Sequence, residues 1–319
     1  MPAVVAARLD AELVRRGLAR SRRRATELVA QGRVSVGGTV ARKPSQPVRA
    51  DDAVLVEPES GPEYVSRAAH KLGGALDALA ALAPGALTVS GARCLDAGAS
   101  TGGFTQVLLE RGAAHVLAVD VGHGQIADVV AQDARVTVRE GTNVRNLTPA
   151  DVGVPPNLVV GDLSFISLTL VVQVLLGLTA EGGNLLLLVK PQFELGRDRL
   201  GASGVVSSPA LRQECVLAVA AAAVDAGALV RAVVPSLLSG PSGNHEFFLW
   251  LARGPQGAAT PDRQAPGGAS DPLPATSAAG PALVAAVRCA VVDGRSVLVG
   301  PEVPTGIGGP EWTSAGWTA

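Results

Sequence analysis

Short apolar runs alternate with helical segments through the central part of this chain. The runs lie near residues 93–97, 115–120, 135–139, 157–161, 184–190, 228–234 and 245–251. Between them, apolar residues recur at helical spacing in segments centred near residues 70, 106, 127, 170 and 216. This alternation predicts right-handed βαβ units and a mainly parallel sheet of seven strands. Because only residues 235–244 separate the last two strands, we expect those two to pair antiparallel.

The N-terminal part of the chain has a different pattern, in which two short helices precede short strands. Apolar residues at helical spacing predict a first helix marked by Leu9, Leu13 and Leu18, followed by a second around residues 25–29. Alternating residues over 33–40 predict a hairpin that turns at its Gly-Gly pair, and the apolar run 53–57 predicts a closing strand. The pattern is typical of a small α+β domain.

The last part of the chain differs in composition from everything before it. Residues 254–281 are rich in Gly, Ala, Pro, Ser and Thr, and the apolar patch 282–299 is followed by an end rich in Gly and Pro. The composition of 254–281 buries too little apolar surface to fold. The patch 282–299 could form a little structure, but the end that follows it argues against a domain. We predict an N-terminal domain over 1–59, a linker over 60–64, an α/β domain over 65–253 and a disordered extension over 254–319.

Composition favours a globular enzyme, with 47% hydrophobic and 17% charged residues. Three cysteines, Cys94, Cys215 and Cys289, stand far apart, so we expect neither a metal site nor a disulfide framework. Charged residues from Arg8 onward interrupt the N-terminal apolar stretch, which argues against a signal peptide. The uncharged run 163–180 contains five polar Ser, Thr and Gln residues and is better explained by a buried helix than by a membrane span. We expect a cytoplasmic protein without a membrane partner.

Charge is unevenly distributed, although the formal net charge of the chain is only −1. The first 49 residues carry eleven Lys and Arg against three Asp and Glu, a local net charge of +8. Positive charge segregated onto one folded segment is typical of a surface that binds phosphates. The N-terminal domain is therefore predicted to bind nucleic acid.

A glycine-rich turn follows the first strand of the α/β domain, in the segment Cys94–Phe104. A strand, a tight turn and a helix N-terminus together offer backbone N–H groups and a close approach to a ligand. Phe104 stands where a P-loop needs lysine, and Ser100 stands where a dinucleotide fingerprint needs its second glycine. Neither of those two ligand classes fits the turn.

Two acids indicate a third ligand class. Asp96 lies just before the turn and suits a ligand with an ammonium and a sulfonium, whereas Asp120 ends the next strand and can accept from ribose hydroxyls. Together they favour S-adenosylmethionine as the cofactor over a bare turn in which Asp96 only caps the helix. The predicted cofactor-binding residues are Asp96, Gly98, Ser100, Gly102, Gly103, Phe104 and Asp120.

Four polar residues lie where an apolar core would not place them. Lys71 is on the helix before the first strand, Asp162 and Lys190 follow the fourth and fifth strands, and Glu246 begins the last strand. The carboxyl ends of parallel strands and the start of an antiparallel one share a rim. We expect Lys190 to act as a base toward a weakly acidic hydroxyl, with Lys71 as a second cation nearby and the two acids fixing the amines.

The order Lys71, Asp162, Lys190 and Glu246 resembles the Lys-Asp-Lys-Glu tetrad of FtsJ-like ribose 2′-O-methyltransferases. Residues 6–253 as a whole resemble the TlyA family, whose members are also called hemolysin A. Segments that carry the resemblance include 8–22, 65–72, 96–105, 162–168, 189–194 and 243–247, of which the first looks like an S4 RNA-binding domain. They are highly specific as a set.

The resemblance implies a Rossmann-like class I methyltransferase fold behind an S4-like domain. It implies S-adenosylmethionine-dependent methylation of cytidine ribose in ribosomal RNA of the large subunit and, given the longer N-terminal segment, of the small subunit too. Ribosomal RNA or ribosomal subunits are the implied partners, and no obligate protein partner is inferred. The RNA-binding residues that we predict are Arg8, Arg15, Arg20, Arg22, Arg23, Arg24 and Arg67.

Three other functions remain open from the sequence. A membrane-active hemolysin would need a secretion signal and an amphipathic or spanning segment. An inactive RNA-binding protein would be expected to have lost some of Asp96, Gly98, Asp120 and the tetrad. Methylation of a base or a protein would usually bring different residues after the fourth strand than Asp162-Leu-Ser-Phe.

Overall fold

The structure, a computed structural model, describes residues 7–19, 21–30, 32–57, 64–254 and 280–299. The chain forms two compact units, Met1–Glu63 and Tyr64–Ala319. The predicted linker lies almost wholly outside the described residues.

The first unit is a small α+β domain, as predicted. Its helices are α1 (Leu9–Arg15) and α2 (Arg22–Ala30), and its strands are β1 (Ala7–Arg8), β2 (Val34–Val36), β3 (Thr39–Val40), β4 (Pro47–Val48) and β5 (Val54–Val56). Strand β2 pairs antiparallel with β3 and with β5, which confirms the predicted hairpin and closing strand. The helices and these strands enclose a small apolar core that includes Leu9, Leu13 and Leu28.

One boundary of this unit was predicted wrongly. Leu18 lies beyond α1 and is 37% exposed, rather than continuing the apolar face of the helix. The reason is Gly17, whose φ of +71° reverses the chain directly after the helix. Glycine adopts this left-handed conformation without the steric cost that other residues meet, so it ends the helix.

The second unit is an α/β domain around one mainly parallel sheet. Its strands are β6 (Arg93–Ala97), β7 (His115–Val119), β8 (Val136–Arg139), β9 (Leu158–Gly161), β10 (Asn184–Val189), β11 (Ala228–Pro235), β12 (Phe247–Arg253) and β13 (Val297–Leu298). Their order across the sheet is β13-β11-β12-β10-β9-β6-β7-β8. Strands β6 to β10 pair parallel, whereas β12 runs antiparallel to both β10 and β11, as the short connection predicted.

Helices cover both faces of this sheet. They are α3 (Ala68–Leu82), α4 (Gly103–Glu110), α5 (Asp128–Ala131), α6 (Pro149–Val152), α7 (Val172–Leu178), α8 (Pro191–Glu194), α9 (Pro209–Asp225) and α10 (Pro281–Val292). Two apolar cores result, one beneath α3 and α4 and the other beneath α7, α9 and α10. The uncharged run 163–180 contains α7, whose apolar face is buried as predicted. Among the described helices, none combines the length and the apolar character needed to cross a membrane.

The prediction of a disordered extension over 254–319 is wrong for residues 281–298. Helix α10 packs on the sheet, and β13 pairs antiparallel with β11, so the described sheet has eight strands rather than seven. Apolar residues at helical spacing, with Leu283 and Val287 among them, give α10 one buried face. The sequence analysis noted the apolar patch 282–299, but the residues rich in Gly and Pro on both sides of it argued against a folded element. Residues 255–279 and 300–319 lie outside the described residues.

We expect a chain that ends at Arg253 to be less stable than the full chain, because it leaves the apolar site of α10 open to water. Leu283→Ala tests the same contact more gently and should lower the free energy of unfolding by about 2–4 kcal/mol. The exposed Arg288→Ala on the same helix is the matched control and should change it by less than about 0.5 kcal/mol. Denaturant unfolding measures all three. Equal stability of the full and shortened chains would mean that α10 contributes nothing to the fold.

Candidate active site

The glycine-rich turn sits at the carboxyl edge of β6 and leads directly into α4. Gly98 and Gly102 have φ angles of +84° and +93°, and Ser100 between them also has a positive φ, of +48°. A Cβ added to Gly98 would lie 2.9 Å from the backbone oxygen of Asp162. The turn therefore packs so closely against the end of β9 that only glycine fits there.

Asp96 is a fully buried acid with one oxygen still free. Its Oδ2 accepts a 2.7 Å hydrogen bond from the Thr105 hydroxyl in the first turn of α4, as a purely structural role would require. Its Oδ1 is buried and has no hydrogen-bond partner among the described residues. Burial raises the pKa of this carboxyl to about 7. An unpartnered buried oxygen is costly, so it favours a role in ligand binding over a bare turn.

Asp120 holds the backbone of two loops in place. Its Oδ2 accepts from the Ser100 amide at 2.8 Å, and its Oδ1 accepts from the Gly122 amide at 2.7 Å. The next strand repeats this arrangement with Glu140, which accepts from the amides of Gly124 and Gln125 at 2.6 and 2.8 Å. These amide hydrogen bonds lower the pKa of Glu140. We did not predict Glu140, although it follows β8 just as Asp120 follows β7.

Phe104 does not belong with the predicted cofactor-binding side chains. Its ring is 2% exposed and stacks on Phe248 of β12, with 6.0 Å between ring centroids. Phe104 is thus part of the apolar core beneath α3 and α4. The sequence predicted that the Phe104 side chain contacts the cofactor. A residue in the first turn of α4 can equally face the sheet, as Phe104 does.

The four residues of the tetrad form two ion pairs. Lys71 Nζ lies 2.5 Å from Glu246 Oε2, and the two side chains are only 6% and 1% exposed. Lys190 Nζ lies 2.6 Å from Asp162 Oδ1 and donates to the Ser164 hydroxyl at 2.8 Å. Each ammonium therefore has its own carboxylate, Glu246 for Lys71 and Asp162 for Lys190.

The sheet register explains why these residues meet. Val189 pairs with Phe247 across β10 and β12, so Lys190 and Glu246 follow and precede the same paired position. Ala97 pairs with Gly161 across β6 and β9, which brings the glycine-rich turn beside Asp162. Cofactor turn and tetrad thus share one edge of the sheet.

Comparisons with known proteins agree with this geometry. The family model described as FtsJ-like methyltransferase matches residues 64–253, and the S4 domain model matches residues 7–54. A Mycobacterium tuberculosis protein named 16S/23S rRNA (cytidine-2′-O)-methyltransferase TlyA is 54% identical over 245 residues, which cover 77% of this chain and 89% of that protein.

The chain belongs to the TlyA family of FtsJ-like methyltransferases.

Other relatives extend the TlyA match. A Bacillus subtilis protein named as an rRNA methyltransferase, YqxC, is 36% identical, with 81% of this chain and 90% of that protein covered. A solved structure from Streptococcus thermophilus, named as a hemolysin, is 36% identical with a TM-score of 0.61 and covers 79% of this chain and 90% of that chain. The fold predicted for the TlyA family is confirmed.

Two neighbours of Lys190 in this TlyA-family site were missed by the sequence analysis. Ser164 accepts from the Lys190 ammonium, and Phe193 lies with its ring centroid 5.9 Å from Nζ. Phe165 is 90% exposed, has a φ of +64°, and its ring lies 5.1 Å from that of Phe193. A strained backbone that presents an aromatic ring to solvent is often functional. The signal was available, because Ser164 and Phe165 lie two and three residues after Asp162.

The predicted RNA-binding arginines have partners within their own units. Arg67 of the second unit is exposed and donates to the Ser239 backbone oxygen at 2.6 Å. The arginines of the first unit contact acids of that unit and are exposed to different degrees; they are Arg8, Arg15, Arg22, Arg23 and Arg24. Arg20 lies outside the described residues. All of them stay predictions as RNA contacts.

The pair Lys71–Glu246 should be costly to break from one side. Lys71→Met leaves a buried carboxylate without its cation and should lower the free energy of unfolding by about 3–5 kcal/mol. The double variant Lys71→Met/Glu246→Gln leaves no unpaired charge and should recover much of that loss. Denaturant unfolding in a double-mutant cycle measures the coupling. Additive losses in the double variant would show that the two side chains do not interact.

Proposed function

We propose that this chain transfers a methyl group from S-adenosylmethionine to the 2′-hydroxyl of a cytidine ribose in ribosomal RNA. The observation that carries the proposal is the pair of buried Lys–carboxylate contacts at the same sheet edge as the glycine-rich turn. The name of the Mycobacterium tuberculosis relative supports the cytidine substrate and both ribosomal subunits. The S4 domain at the N-terminus supports RNA as the class of substrate.

The residues present fit S-adenosylmethionine. The buried, unpartnered Oδ1 of Asp96 can accept from an ammonium, and the Gly98 turn leaves no room for a Cβ where backbone must lie close. Acids rather than basic side chains line the turn, which suits a cationic cofactor. The holding residues would be Asp96, Gly98, Ser100, Gly102, Gly103 and Asp120. The cofactor, when bound, supplies an electrophilic methyl group.

Lys190 is the residue that we assign to the proton of the ribose hydroxyl. A 2′-hydroxyl is a weak nucleophile until its proton begins to leave. Lys190 Nζ would take that proton after releasing one of its own to solvent, because the ammonium paired with Asp162 has no free electron pair. Asp162 and Ser164 fix the position of Nζ through contacts of 2.6 and 2.8 Å. The hydroxyl is thereby aligned while it loses its proton, and alignment itself lowers the barrier.

The second pair has a supporting role. Lys71 and Glu246 neutralise each other inside the protein, and their contact joins α3 to the start of β12. Glu246 precedes the position that pairs with Val189, so the contact fixes β12 beside Lys190. All four tetrad residues are present and paired, which favours an active enzyme over an inactive RNA-binding protein.

Replacing Lys190 tests the proton transfer. Lys190→Ala should lower turnover by roughly 10²–10⁴-fold, the usual effect of removing a general base. Lys190→Arg should fail as well, because guanidinium stays protonated. The assay is methyl transfer from labelled cofactor to ribosomal RNA, with separate binding measurements for both ligands, which should change little. Near-normal turnover of Lys190→Ala would refute the assignment.

The raised pKa of Asp96 predicts a pH-dependent cofactor affinity. A cationic ligand favours the ionised carboxylate, so binding lowers the pKa from about 7 and releases a proton at lower pH. Affinity should therefore rise with pH through about 7 and level off above it, with about a tenfold loss at one unit below. Calorimetry in two buffers of different ionisation heat counts the proton. Asp96→Asn should bind more weakly and lose the proton release, and a flat profile in the unchanged protein would contradict the role of Asp96.

A further inference from the structure

Two buried acids of the first unit each hold a pair of arginines. Asp10 is only 4% exposed and accepts from two arginines on different elements. Arg8 binds it with both Nε and Nη2, at 3.1 and 3.0 Å, and Arg22 binds it with Nη2 at 3.0 Å. One carboxylate thus fixes two guanidinium groups.

Glu12 repeats the arrangement further along α1. It is 3% exposed and accepts from Arg15 at 2.6 and 2.7 Å and from Arg16 at 2.7 Å. Arg16 also donates to backbone oxygens of residues 49, 50 and 52, and its side chain is only 19% exposed, so it stabilises the domain itself. The side chain of Arg15 remains 64% exposed.

The paired arginines keep positive charge and exposed N–H donors that a partner can bind. Each acid contacts two arginines, so each set of one acid and two arginines has a net charge of +1. Contact with the arginines lowers the pKa of both Asp10 and Glu12 to about 2, so they stay charged under all ordinary conditions. The side chains of Arg8 and Arg22 are 54% and 61% exposed despite their contacts with Asp10. Several N–H donors therefore point to solvent from arginines whose position is fixed.

We propose that Asp10 and Glu12 are positioning residues for RNA binding, which hold Arg8, Arg22 and Arg15 in the orientation that contacts phosphates. The proposal rests on the RNA substrate of the proposed function. A long arginine side chain loses rotamer freedom when it binds, and a side chain already fixed loses less. Removing either acid would therefore weaken RNA binding, although it makes the surface more positive.

Simple electrostatics predicts the opposite sign, which makes the test sharp. Full-length chains with Asp10→Asn or Glu12→Gln are titrated with a labelled ribosomal RNA hairpin at several salt concentrations. We expect a Kd about three- to tenfold higher and a salt slope that is flatter by about 0.7–0.9 for each phosphate that the variant no longer binds. In methyl transfer, KM for RNA should rise while kcat stays unchanged. Tighter binding would overturn the positioning role.

Glu27→Gln is the matched control within the same domain. It removes the same charge, but Glu27 is 34% exposed and pairs loosely with Arg23 and Arg24, at 3.3 and 3.7 Å. We expect unchanged or slightly tighter RNA binding in this variant. Equal weakening by Glu27→Gln and Asp10→Asn would show that any acid removal perturbs the domain, and would overturn the proposal.

A double-mutant cycle separates this proposal from the proposed function. Asp10→Asn should have no further effect on RNA affinity once Arg8 and Arg22 are alanine, because its role is to hold those two side chains. If Arg8→Ala/Arg22→Ala alone leaves affinity unchanged, these two arginines do not bind RNA and the positioning role of Asp10 is refuted. The assignment of methyl transfer to the second unit is tested separately, by the Lys190 variants. Arg8→Lys keeps the charge without the forked contact and should also weaken binding, which gives a test should Asp10→Asn not fold.

Discussion

Buried charge is the constraint on which the rest of this structure depends. Four ionised side chains at one edge of the sheet are largely removed from water, and each is tolerated only because a partner lies within 2.6 Å. The partners come from α3, β9, β10 and β12 or the residues next to them, which are far apart in the chain. The antiparallel direction of β12 is essential, because it starts this strand at the edge where the parallel strands end. The contacts that neutralise the four buried charges are therefore the same contacts that assemble the site.

The glycine-rich turn also depends on a close contact, in this case between two segments of backbone. Gly98 allows the end of β6 to contact the end of β9. Asp162, which follows β9, is the acid that pairs with Lys190. Asp96, two residues before Gly98, uses one oxygen for α4 and leaves the other unpartnered among the described residues. The fold therefore keeps an unsatisfied acceptor beside the catalytic residues. That cost is understandable where a cationic ligand completes the contact.

Apolar patterning predicted most of the fold and the position of most site residues. The pattern shows where each strand ends, and the carboxyl ends of the parallel strands meet at one edge of the sheet. Contacts were harder to predict. The sequence did not predict which acid pairs with which lysine, because pairing depends on which side chains the sheet register makes neighbours; Lys71 pairs with Glu246. The Phe104 ring faces the core, and α10 was assigned to a disordered extension because the segments around its apolar patch are rich in Gly and Pro. Ser164 was missed although it lies two residues after Asp162, because proximity in the sequence does not say which side chain accepts from Lys190.

Both units contain ion pairs between a buried carboxylate and basic side chains, but the number of basic side chains per carboxylate differs, and this difference matches the roles of the two units. In the second unit each lysine of the tetrad has one carboxylate, so each pair is neutral and can be buried where the chemistry requires an amine in a fixed position. In the first unit each buried carboxylate has two arginines, so the group stays positive and its outer N–H donors remain exposed. A one-to-one pair fixes a single side chain inside the protein. A one-to-two group fixes charge at the surface, where it can meet the phosphates of a rigid RNA without first being ordered.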